Sequence, residues 1–444
     1  MIPVVALVGR PNVGKSTLFN RLTRSRQALV DDQPGVTRDR LYGEVWRGSR
    51  KILMVDTGGL SDDADALSRA VQEQVAQALA EADAVIFIVD ARDGLTAGDI
   101  EIGADLRKSG NPVRLAVNKS EGLDSAVTAA EYFELALGAP FVISARTGQG
   151  VEELLGQVLE SVPRSDVDEQ TNSTHRVAVV GRPNVGKSTL VNVLVGEPRL
   201  IVADMPGTTR DAVSVSLGQN GEGIVLVDTA GVRRKSRVRE TLEKFSVVKT
   251  LQALGSAQAA LLVLDAHEGI SEQDAAIAGL VIDSGRSIVV AVNKWDGLER
   301  RDRNRIRRDL ARRFDFLPEH EVLFVSALHG SGVRDLVAAV RRAQASALVE
   351  MGTGALNRAL ARALEHHAPP MVHNRTIKPK YAHQGGRNPP TVVLHGNLLD
   401  KLAASYLRYL GRTLSKAFRL TGTQIRFELR KAGNPYARER QGRR

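Results

Sequence analysis

The chain contains no cysteine. This absence excludes a disulfide scaffold, a thiol nucleophile and any zinc or iron–sulfur site built on cysteine ligands. It is compatible with a reducing compartment, so we expect a cytoplasmic protein. Long apolar runs are missing as well, since none reaches the ~18 residues that a membrane helix requires. The amino terminus, MIPVVALVGR, has no basic region and no small-residue cleavage site, so we expect neither a signal peptide nor a membrane partner.

Acidic residues are scarce in only one part of the chain. From Val349 to the carboxyl end there are 18 lysines and arginines against 5 aspartates and glutamates, a formal charge of +13. The whole chain carries +10, so residues 1–348 carry −3. A basic segment attached to a mildly acidic body favours an acidic partner such as nucleic acid over a merely solvated surface.

The sequence does contain an internal repeat. The decamer GRPNVGKSTL occurs at residues 9–18 and again at 181–190. Further pairs follow in the same order at nearly constant offsets: PGVTRD and PGTTRD, DTGG and DTAG, FIVDARDGLT and LVLDAHEGIS, NKSE and NKWD, SAR and SAL. Several motifs held in register indicate a duplicated module rather than chance recurrence.

Hydrophobic patterning shows where these motifs lie in the fold. In both copies, short continuous apolar runs alternate with helical stretches, which is typical of a mostly parallel sheet covered by helices on both faces. We therefore predict an α/β protein with a first domain over 1–160, an acidic linker over 161–174, a second domain over 175–348 and a basic third domain over 349–444.

The decamer contains a phosphate-binding loop, Gly-x-x-x-x-Gly-Lys-Ser, between a strand and a helix. Its glycines let backbone N–H groups approach phosphate oxygens, and the helix contributes its positive amino end. The lysine is expected to reach the outer phosphates and the serine hydroxyl to ligate Mg²⁺. The predicted phosphate-binding residues are Gly9, Asn12, Gly14, Lys15, Ser16 and Thr17 in the first copy and Gly181, Asn184, Gly186, Lys187, Ser188 and Thr189 in the second.

An Asp-x-x-Gly motif follows each phosphate loop. Asp56 and Asp228 each end an apolar strand, where a carboxylate can hold Mg²⁺ through water. Gly59 and Gly231 let a backbone N–H meet the γ-phosphate. Alone, the motif is also ordinary turn chemistry. After a phosphate loop it predicts the metal-binding part of a nucleoside triphosphate site.

The Asn-Lys motifs determine which base is bound. A carboxylate after Asn-Lys accepts two hydrogen bonds from the N1–H and exocyclic amine of guanine, whereas adenine would leave a buried acceptor unpaired. In SAR and SAL, the alanine N–H can donate to guanine O6. The predicted guanine-binding residues are Asn118, Lys119, Glu121, Ser144 and Ala145, then Asn293, Lys294, Asp296, Ser326 and Ala327. The sequence thus predicts two tandem P-loop GTPase domains that bind GTP or GDP with Mg²⁺.

Together these motifs resemble those of the translation-factor-related class of P-loop GTPases. Two such domains followed by a small basic domain resemble, over essentially the whole chain, the bacterial ribosome-assembly GTPase family called Der or EngA. The resemblance implies a KH-like third domain, a role in maturing the large ribosomal subunit, and binding to that subunit, its precursor or its rRNA. We expect no DNA partner, and a monomer.

The same resemblance assigns roles to two further pairs of residues. Thr37 and Thr209 are implied to be the switch I threonines that close over Mg²⁺ and the γ-phosphate. Asn12 and Asn184 are implied to help hold a potassium ion, whose charge can replace that of an arginine finger. The alternative is an asparagine that only stabilises the loop.

The third domain has a pattern of its own. We predict a helix over 357–370, strands over 376–384 and 391–397, a helix over 398–418 and a strand over 425–431. This order is compatible with a KH-like α/β domain. The domain contains no Gly-x-x-Gly loop, with which KH domains clamp nucleotides. Phosphate contacts from scattered arginines and lysines, directed by RNA shape, therefore fit better.

Three features concern hydrolysis and switching. Leu60 and Val232 follow Asp-x-x-Gly, where Ras-like enzymes carry a water-orienting glutamine, so we expect slow hydrolysis that a cation or partner stimulates. Glu121 stands where aspartate is usual, and its extra methylene is expected to weaken guanine binding at the first site. The basic segment 233–239 is either a switch that contacts RNA or another domain, or a solvated helix face.

Two other functions are compatible with the sequence. One is a GTPase coupled to tRNA modification, although the third domain shows no cysteine and no plausible cofactor motif. The other is a binding protein in which one module is largely structural, and Glu121 makes the first module the candidate. We favour a Mg²⁺-dependent GTPase whose nucleotide state controls docking on a pre-ribosomal particle.

Overall fold

A computed structural model describes residues 2–23, 29–30, 41–47, 50–56, 79, 81–162, 175–196, 201–203, 215–218, 224–227, 247–372 and 375–431. The chain divides into two compact units. Residues 1–172 with 246–252 form one, and residues 173–245 with 253–444 form the other. The first unit contains the first copy of the repeat (the first module). The second copy (the second module) and the C-terminal domain lie in the second unit.

The first module is built from one seven-stranded sheet and its helices. Its elements are β1 (Val4–Val8), α1 (Lys15–Leu22), β2 (Leu29–Val30), β3 (Leu41–Arg47), β4 (Arg50–Asp56), β5 (Ala84–Asp90), α2 (Ala97–Ser109), β6 (Val113–Asn118), α3 (Ser125–Ala130), a 3-10 helix (Glu131–Leu135), β7 (Phe141–Val142) and α4 (Val151–Ser161). The strand order is β2-β3-β4-β1-β5-β6-β7. Strands β4, β1, β5, β6 and β7 are parallel, and β2 and β3 are antiparallel additions.

The central strands are buried along their whole length because helices cover both faces of the sheet. All seven residues of β5 are buried. Alternate side chains of a strand point to opposite faces, so Ile86 and Ile88 join α1 and α4 in one core. Val85 and Phe87 join α2 and the 3-10 helix in the other core. The continuous apolar runs in the sequence correspond to these doubly covered strands.

The second module repeats this architecture. Its elements are β8 (His175–Val180), α5 (Lys187–Gly196), β9 (Ile201–Ala203), β10 (Val215–Gly218), β11 (Ile224–Val227), α6 (Val247–Gly255), β12 (Ala259–Asp265), α7 (Glu272–Asp283), β13 (Ser287–Asn293), α8 (Arg300–Arg313), β14 (Val322–Phe324) and α9 (Val333–Ala347). The order β14-β13-β12-β8-β11-β10-β9 is that of the first sheet read from its other edge. The predicted α/β fold with two mostly parallel sheets is confirmed.

The sequence did not predict the antiparallel strands at the sheet edges, which are β2, β3, β9 and β10. In β3, which reads LYGEVWR, Tyr42, Gly43 and Val45 are buried while Glu44, Trp46 and Arg47 are exposed, so the strand is not a continuous apolar run. In the two modules, the predicted strands came from continuous apolar runs, and such a search does not find a half-exposed strand.

The C-terminal domain has its own core. Its elements are α10 (Thr353–His366), β15 (Met371–Val372), β16 (Arg375–Thr376), β17 (Lys378–Gly386), β18 (Thr391–Asn397), a 3-10 helix (Leu399–Lys401), α11 (Ala404–Ala417) and β19 (Arg426–Lys431). β17, β18 and β19 form a three-stranded sheet, and α10 and α11 pack on one of its faces. The predicted order of helix, two strands, helix and strand is confirmed.

Within the second unit, the C-terminal domain is hydrogen-bonded to the second module. The Ile288 N–H donates to the Gly422 carbonyl at 2.6 Å, and the Gly422 N–H donates to the Glu319 carbonyl at 2.6 Å. Gly422 has φ +69°, and a Cβ there would lie 2.5 Å from the Ile288 oxygen. Only glycine combines this backbone conformation with such close approach.

Candidate functional site

The two phosphate loops have the same conformation. Gly14 precedes α1 and Gly186 precedes α5, with φ values of +99° and +95°. A Cβ added at these positions would lie 2.2 and 2.3 Å from the side-chain nitrogens of Asn118 and Asn293. Glycine is required here because no side chain fits between the loop and the asparagine.

The loop lysines are held by the loops themselves. Lys15 Nζ donates to the carbonyl oxygens of Gly9, at 2.9 Å, and Arg10, at 2.7 Å. Lys187 makes the matching bonds at 3.0 and 2.7 Å. Burial lowers the pKa of Lys15, since the charged form loses its hydration. A phosphate in the loop would oppose this effect by stabilising the ammonium ion.

Ser16 and Asp56 bring a hydroxyl and a carboxylate together. The Ser16 hydroxyl donates to Asp56 Oδ2 at 2.9 Å. Mg²⁺ in nucleotide sites takes one or two protein oxygens and completes its shell with phosphates and water, so these residues fit a Mg²⁺ site. Among the described residues, no cluster of three or more histidines, aspartates or glutamates could hold a metal by itself. In the second module, Ser188 is exposed at the matching position.

Several predicted residues lie outside the part of the chain that the structure describes. They are Thr37, Gly59, Thr209, Asp228 and Gly231, together with Leu60, Val232 and the basic segment 233–239. Their roles stay predictions. The predicted hydroxyl residues that the structure does describe are exposed at the starts of α1 and α5, and they are Ser16, Thr17, Ser188 and Thr189.

A buried asparagine joins three loops in each module. Asn118 Nδ2 donates to the Val13 carbonyl in the phosphate loop at 2.8 Å, and Asn118 Oδ1 accepts the Ala145 N–H at 2.8 Å. Asn293 makes the same two bonds, both at 2.9 Å, the second one from Ala327. Each side chain thus connects the phosphate loop, the Asn-Lys loop and the Ser-Ala loop. In this structure the alanine N–H donates to the asparagine, and its predicted bond to guanine O6 stays a prediction.

A buried aspartate holds the lysine of each Asn-Lys motif. Lys294 Nζ donates to Asp265 Oδ2 at 2.5 Å and to the Asn184 carbonyl at 3.0 Å. Lys119 contacts Asp90 in the same way. The two lysines have φ +59° and +65°, a left-handed conformation that needs support from its surroundings. The aspartates supply part of that support, and their recurrence at the ends of FIVD and LVLD is visible in the sequence.

A second buried aspartate, which was not predicted from the sequence, anchors each phosphate loop. Arg10 Nε donates to Asp99 Oδ1 at 2.9 Å, and Arg182 Nε donates to Asp274 Oδ1 at 2.9 Å. The other oxygen of Asp99 accepts the hydroxyl and N–H of Thr96, which caps α2. The second module repeats this capping box with a serine. The sequence signal is the recurring Thr/Ser-x-x-Asp together with the decamer's arginine.

Glu121 and Asp296, the two carboxylates predicted to bind guanine, have lowered pKa values. The Ser144 hydroxyl donates to Glu121 Oε1 at 2.6 Å, and this hydrogen bond is the main cause that lowers the pKa of Glu121. A hydrogen bond from Ser326 lowers the pKa of Asp296. Hydrogen bonds donated to a carboxylate favour its charged form. Both groups are therefore ionised at neutral pH, as acceptance of two guanine N–H bonds requires.

The neighbours of these carboxylates differ between the modules. Arg92 and Arg146 nitrogens lie 3.4 and 3.6 Å from the Glu121 carboxylate. Asp296 has His329 Nε2 at 3.3 Å instead. The longer side chain in the first module is thus accompanied by two guanidinium groups, which orient it from the solvent side.

Comparison with known proteins identifies both repeats and the C-terminal domain. Residues 4–119 and 176–294 match the family described as 50S ribosome-binding GTPase. Residues 351–430 match the family described as KH-domain-like of EngA bacterial GTPase enzymes, C-terminal. No described helix is long and apolar enough to cross a membrane.

Full-length relatives are similar throughout. GTPase Der of Thioalkalivibrio sulfidiphilus is 50% identical over 443 residues, covering 99% of this chain and 96% of the relative. GTPase Der of Herminiimonas arsenicoxydans is 51% identical over 444 residues, covering 99% of both chains. Among solved structures, Aquifex aeolicus Era bound to GDP and AlF4⁻ is 28% identical, covers 37% of this chain and 58% of its own, and has a TM-score of 0.32.

Glu121→Asp should tighten GDP binding at the first module by roughly fivefold, about 1 kcal/mol, because the shorter carboxylate suits the guanine edge. Calorimetric titration of GDP into a Lys187→Ala background would isolate the first site. The reciprocal control, Asp296→Glu in a Lys15→Ala background, should weaken binding at the second site. Unchanged affinity in the Glu121 variant would show that Arg92 and Arg146 already compensate for the extra methylene.

Proposed function

Because the chain belongs to the GTPase Der family, we propose that it works as a GTP-dependent switch in the maturation of the large ribosomal subunit. The nucleotide states of its two modules control its docking on that subunit or its precursor, through rRNA. It acts in the cytoplasm as a monomer. The chain itself is a P-loop GTPase with two such modules and a KH-like C-terminal domain.

Strand β13 provides the observation that carries this proposal. Near its start, the Ile288 N–H donates to Gly422 of the C-terminal domain. Its last residue, Asn293, joins the phosphate loop to the Ser-Ala loop. All seven residues of the strand are buried. One packed element therefore connects the nucleotide site to the KH-like domain, which supports coupling between the two.

We assign the metal- and phosphate-binding roles to the residues of the phosphate loops and the Asp-x-x-Gly motifs. Ser16 and Asp56 with Thr37 would hold Mg²⁺ in the first module, and Ser188, Asp228 and Thr209 would do so in the second. When bound, the metal supplies positive charge to the phosphates. The chain positions the lysine and serine, ties the phosphate loop to the guanine loop, and accepts the guanine N–H groups.

Slow hydrolysis stimulated by potassium completes the proposal. Asn12 and Asn184, the proposed potassium ligands, have φ +63° and +62°. Asparagine tolerates this conformation better than most residues, so backbone geometry alone is a competing reason for its presence. The two reasons can be separated, because glycine keeps the conformation and removes the side-chain oxygen.

Asn184→Gly should reduce potassium stimulation of the second module at least about tenfold, since a charge-stabilising ligand is lost. Hydrolysis rates in KCl and NaCl would be compared in a background with Lys15→Ala, and GDP affinity would check that the loop still binds nucleotide. A variant that keeps the full response to potassium would assign Asn184 a purely conformational role.

Co-sedimentation with large ribosomal subunits tests the proposed function. The full chain should sediment with the particles in a non-hydrolysable GTP analogue, and not in GDP or without nucleotide. Ser16→Ala and Ser188→Ala would show which module controls docking. Equal binding in all three states, or none in any, would separate the GTPase from particle binding.

A further inference from the structure

Among the described elements of the second module, helix α8 is the most strongly charged. Its sequence, RRDRNRIRRDLARR, contains eight arginines and two aspartates. Ile306 and Leu310 are buried against the module. The arginines exposed on the rest of the helix are Arg300, Arg301, Arg305, Arg307, Arg308 and Arg312.

This charge is costly for the helix. Arg301 and Arg305 are four residues apart, as are Arg308 and Arg312, and like charges at this spacing each destabilise a helix by about 0.2–0.5 kcal/mol. Arg300 and Arg301 also oppose the positive amino end of the helix. Among the described residues, only Arg305 and Arg312 of this helix have a carboxylate within 4.0 Å, each from an aspartate one turn earlier.

The first module shows that the fold does not need these charges. The helix that follows its Asn-Lys loop is α3, with the sequence SAVTAA and no charged residue. Both modules keep the same strand order and the same asparagine bridge. The exposed arginines of α8 other than Arg307 are therefore not required for the packing of the module.

The C-terminal domain places further basic residues near the end of α8, within the same unit. Arg408, Arg412 and Lys416 are exposed at four-residue intervals on α11, which has no acidic residue. Arg412 donates to the carbonyl of Asp315, two residues beyond the end of α8. The exposed arginines of α8 and these three residues of α11 form what we call the basic surface.

The basic surface also lies next to the guanine loop. Trp295 stands between Lys294 and Asp296 in the sequence. Its ring lies 5.6 Å from the Arg303 guanidinium and 5.9 Å from that of Arg307. Helix α8 thus packs through cation–π contacts on a residue of the guanine-binding motif.

We propose that the basic surface is an RNA-binding site that holds the phosphate backbone of a structured RNA. The arginine guanidinium matches phosphate oxygens with two parallel hydrogen bonds. A KH-like domain without a Gly-x-x-Gly loop needs another way to hold RNA, and a row of arginines across two domains supplies it without base readout. This inference rests on the proposed function and names the surface through which rRNA is bound.

Combined replacement of Arg300→Gln, Arg301→Gln, Arg305→Gln and Arg308→Gln tests the proposal. These side chains are exposed and leave Arg303 and Arg307 on Trp295. Binding of the full chain to a fluorescent 20-base-pair RNA duplex would be measured by anisotropy across a KCl series. We expect affinity to fall at least about 30-fold at 100 mM KCl, and the log–log salt slope to decrease by about 3.

Two matched variants serve as controls. Lysines at the same four positions keep the charge and should keep most of the affinity. Glutamines at Lys108, Arg358, Arg362 and Lys378 remove the same charge from exposed sites elsewhere, and should lower affinity less than fivefold. Equal losses in the test and distant variants would overturn the proposal, since net charge alone would then explain binding.

Two further measurements distinguish the partner and the proposed function. A 20-residue poly-glutamate peptide should compete poorly with the duplex, and equal competition would assign the surface to an acidic protein instead. Loss of duplex binding with unchanged sedimentation on large subunits would overturn the basic surface as the rRNA contact. Failure of the unaltered chain to sediment, with duplex binding intact, would contradict the proposed function and leave the RNA site standing.

Discussion

A single buried amide side chain holds each nucleotide site together. Asn118 and Asn293 each donate to the phosphate loop and accept from the Ser-Ala loop. Without the amide, a buried carbonyl and a buried N–H would lose their partners, at about 1–3 kcal/mol for each group. Glycine before α1 and α5 is a consequence, because the amide occupies the space where a Cβ would lie.

Ion pairs around this asparagine hold the neighbouring loop residues in place. Asp265 fixes the lysine next to Asn293, and Asp274 fixes the arginine at the start of the phosphate loop. Both aspartates are almost fully buried, so each requires its partner to compensate for lost hydration. The first module has the same pairs. The nucleotide sites are therefore rigid at the base and phosphate ends, while their surfaces are free to differ. Those surfaces do differ, in Glu121 against Asp296 and in the uncharged α3 against the arginine-rich α8.

The local patterns predicted most of the fold and the loops of the site. Strand β5 is one of the continuous apolar runs, because it is buried on both faces, and motif spacing identified the Asn-Lys and Ser-Ala loops. Strand β3 was not predicted, since the exposed Glu44 and Trp46 interrupt its buried residues. The Arg10–Asp99 pair was missed because its partners are 89 positions apart, and only the folded sheet brings them together. The role of α8 also needed the structure, because a charged run is indistinguishable from a solvated helix until its partners are known.

The number of guanine nucleotides bound per chain tests the central claim, that one asparagine organises each of two separate sites. Calorimetric titration with GDP would compare the unaltered chain with Asn118→Ala and Asn293→Ala, and thermal unfolding would confirm that both variants fold. The account predicts two nucleotides for the unaltered chain and one for each variant, with the remaining site at its original affinity. Retention of both sites by either variant, or loss of both from a single replacement, would contradict it.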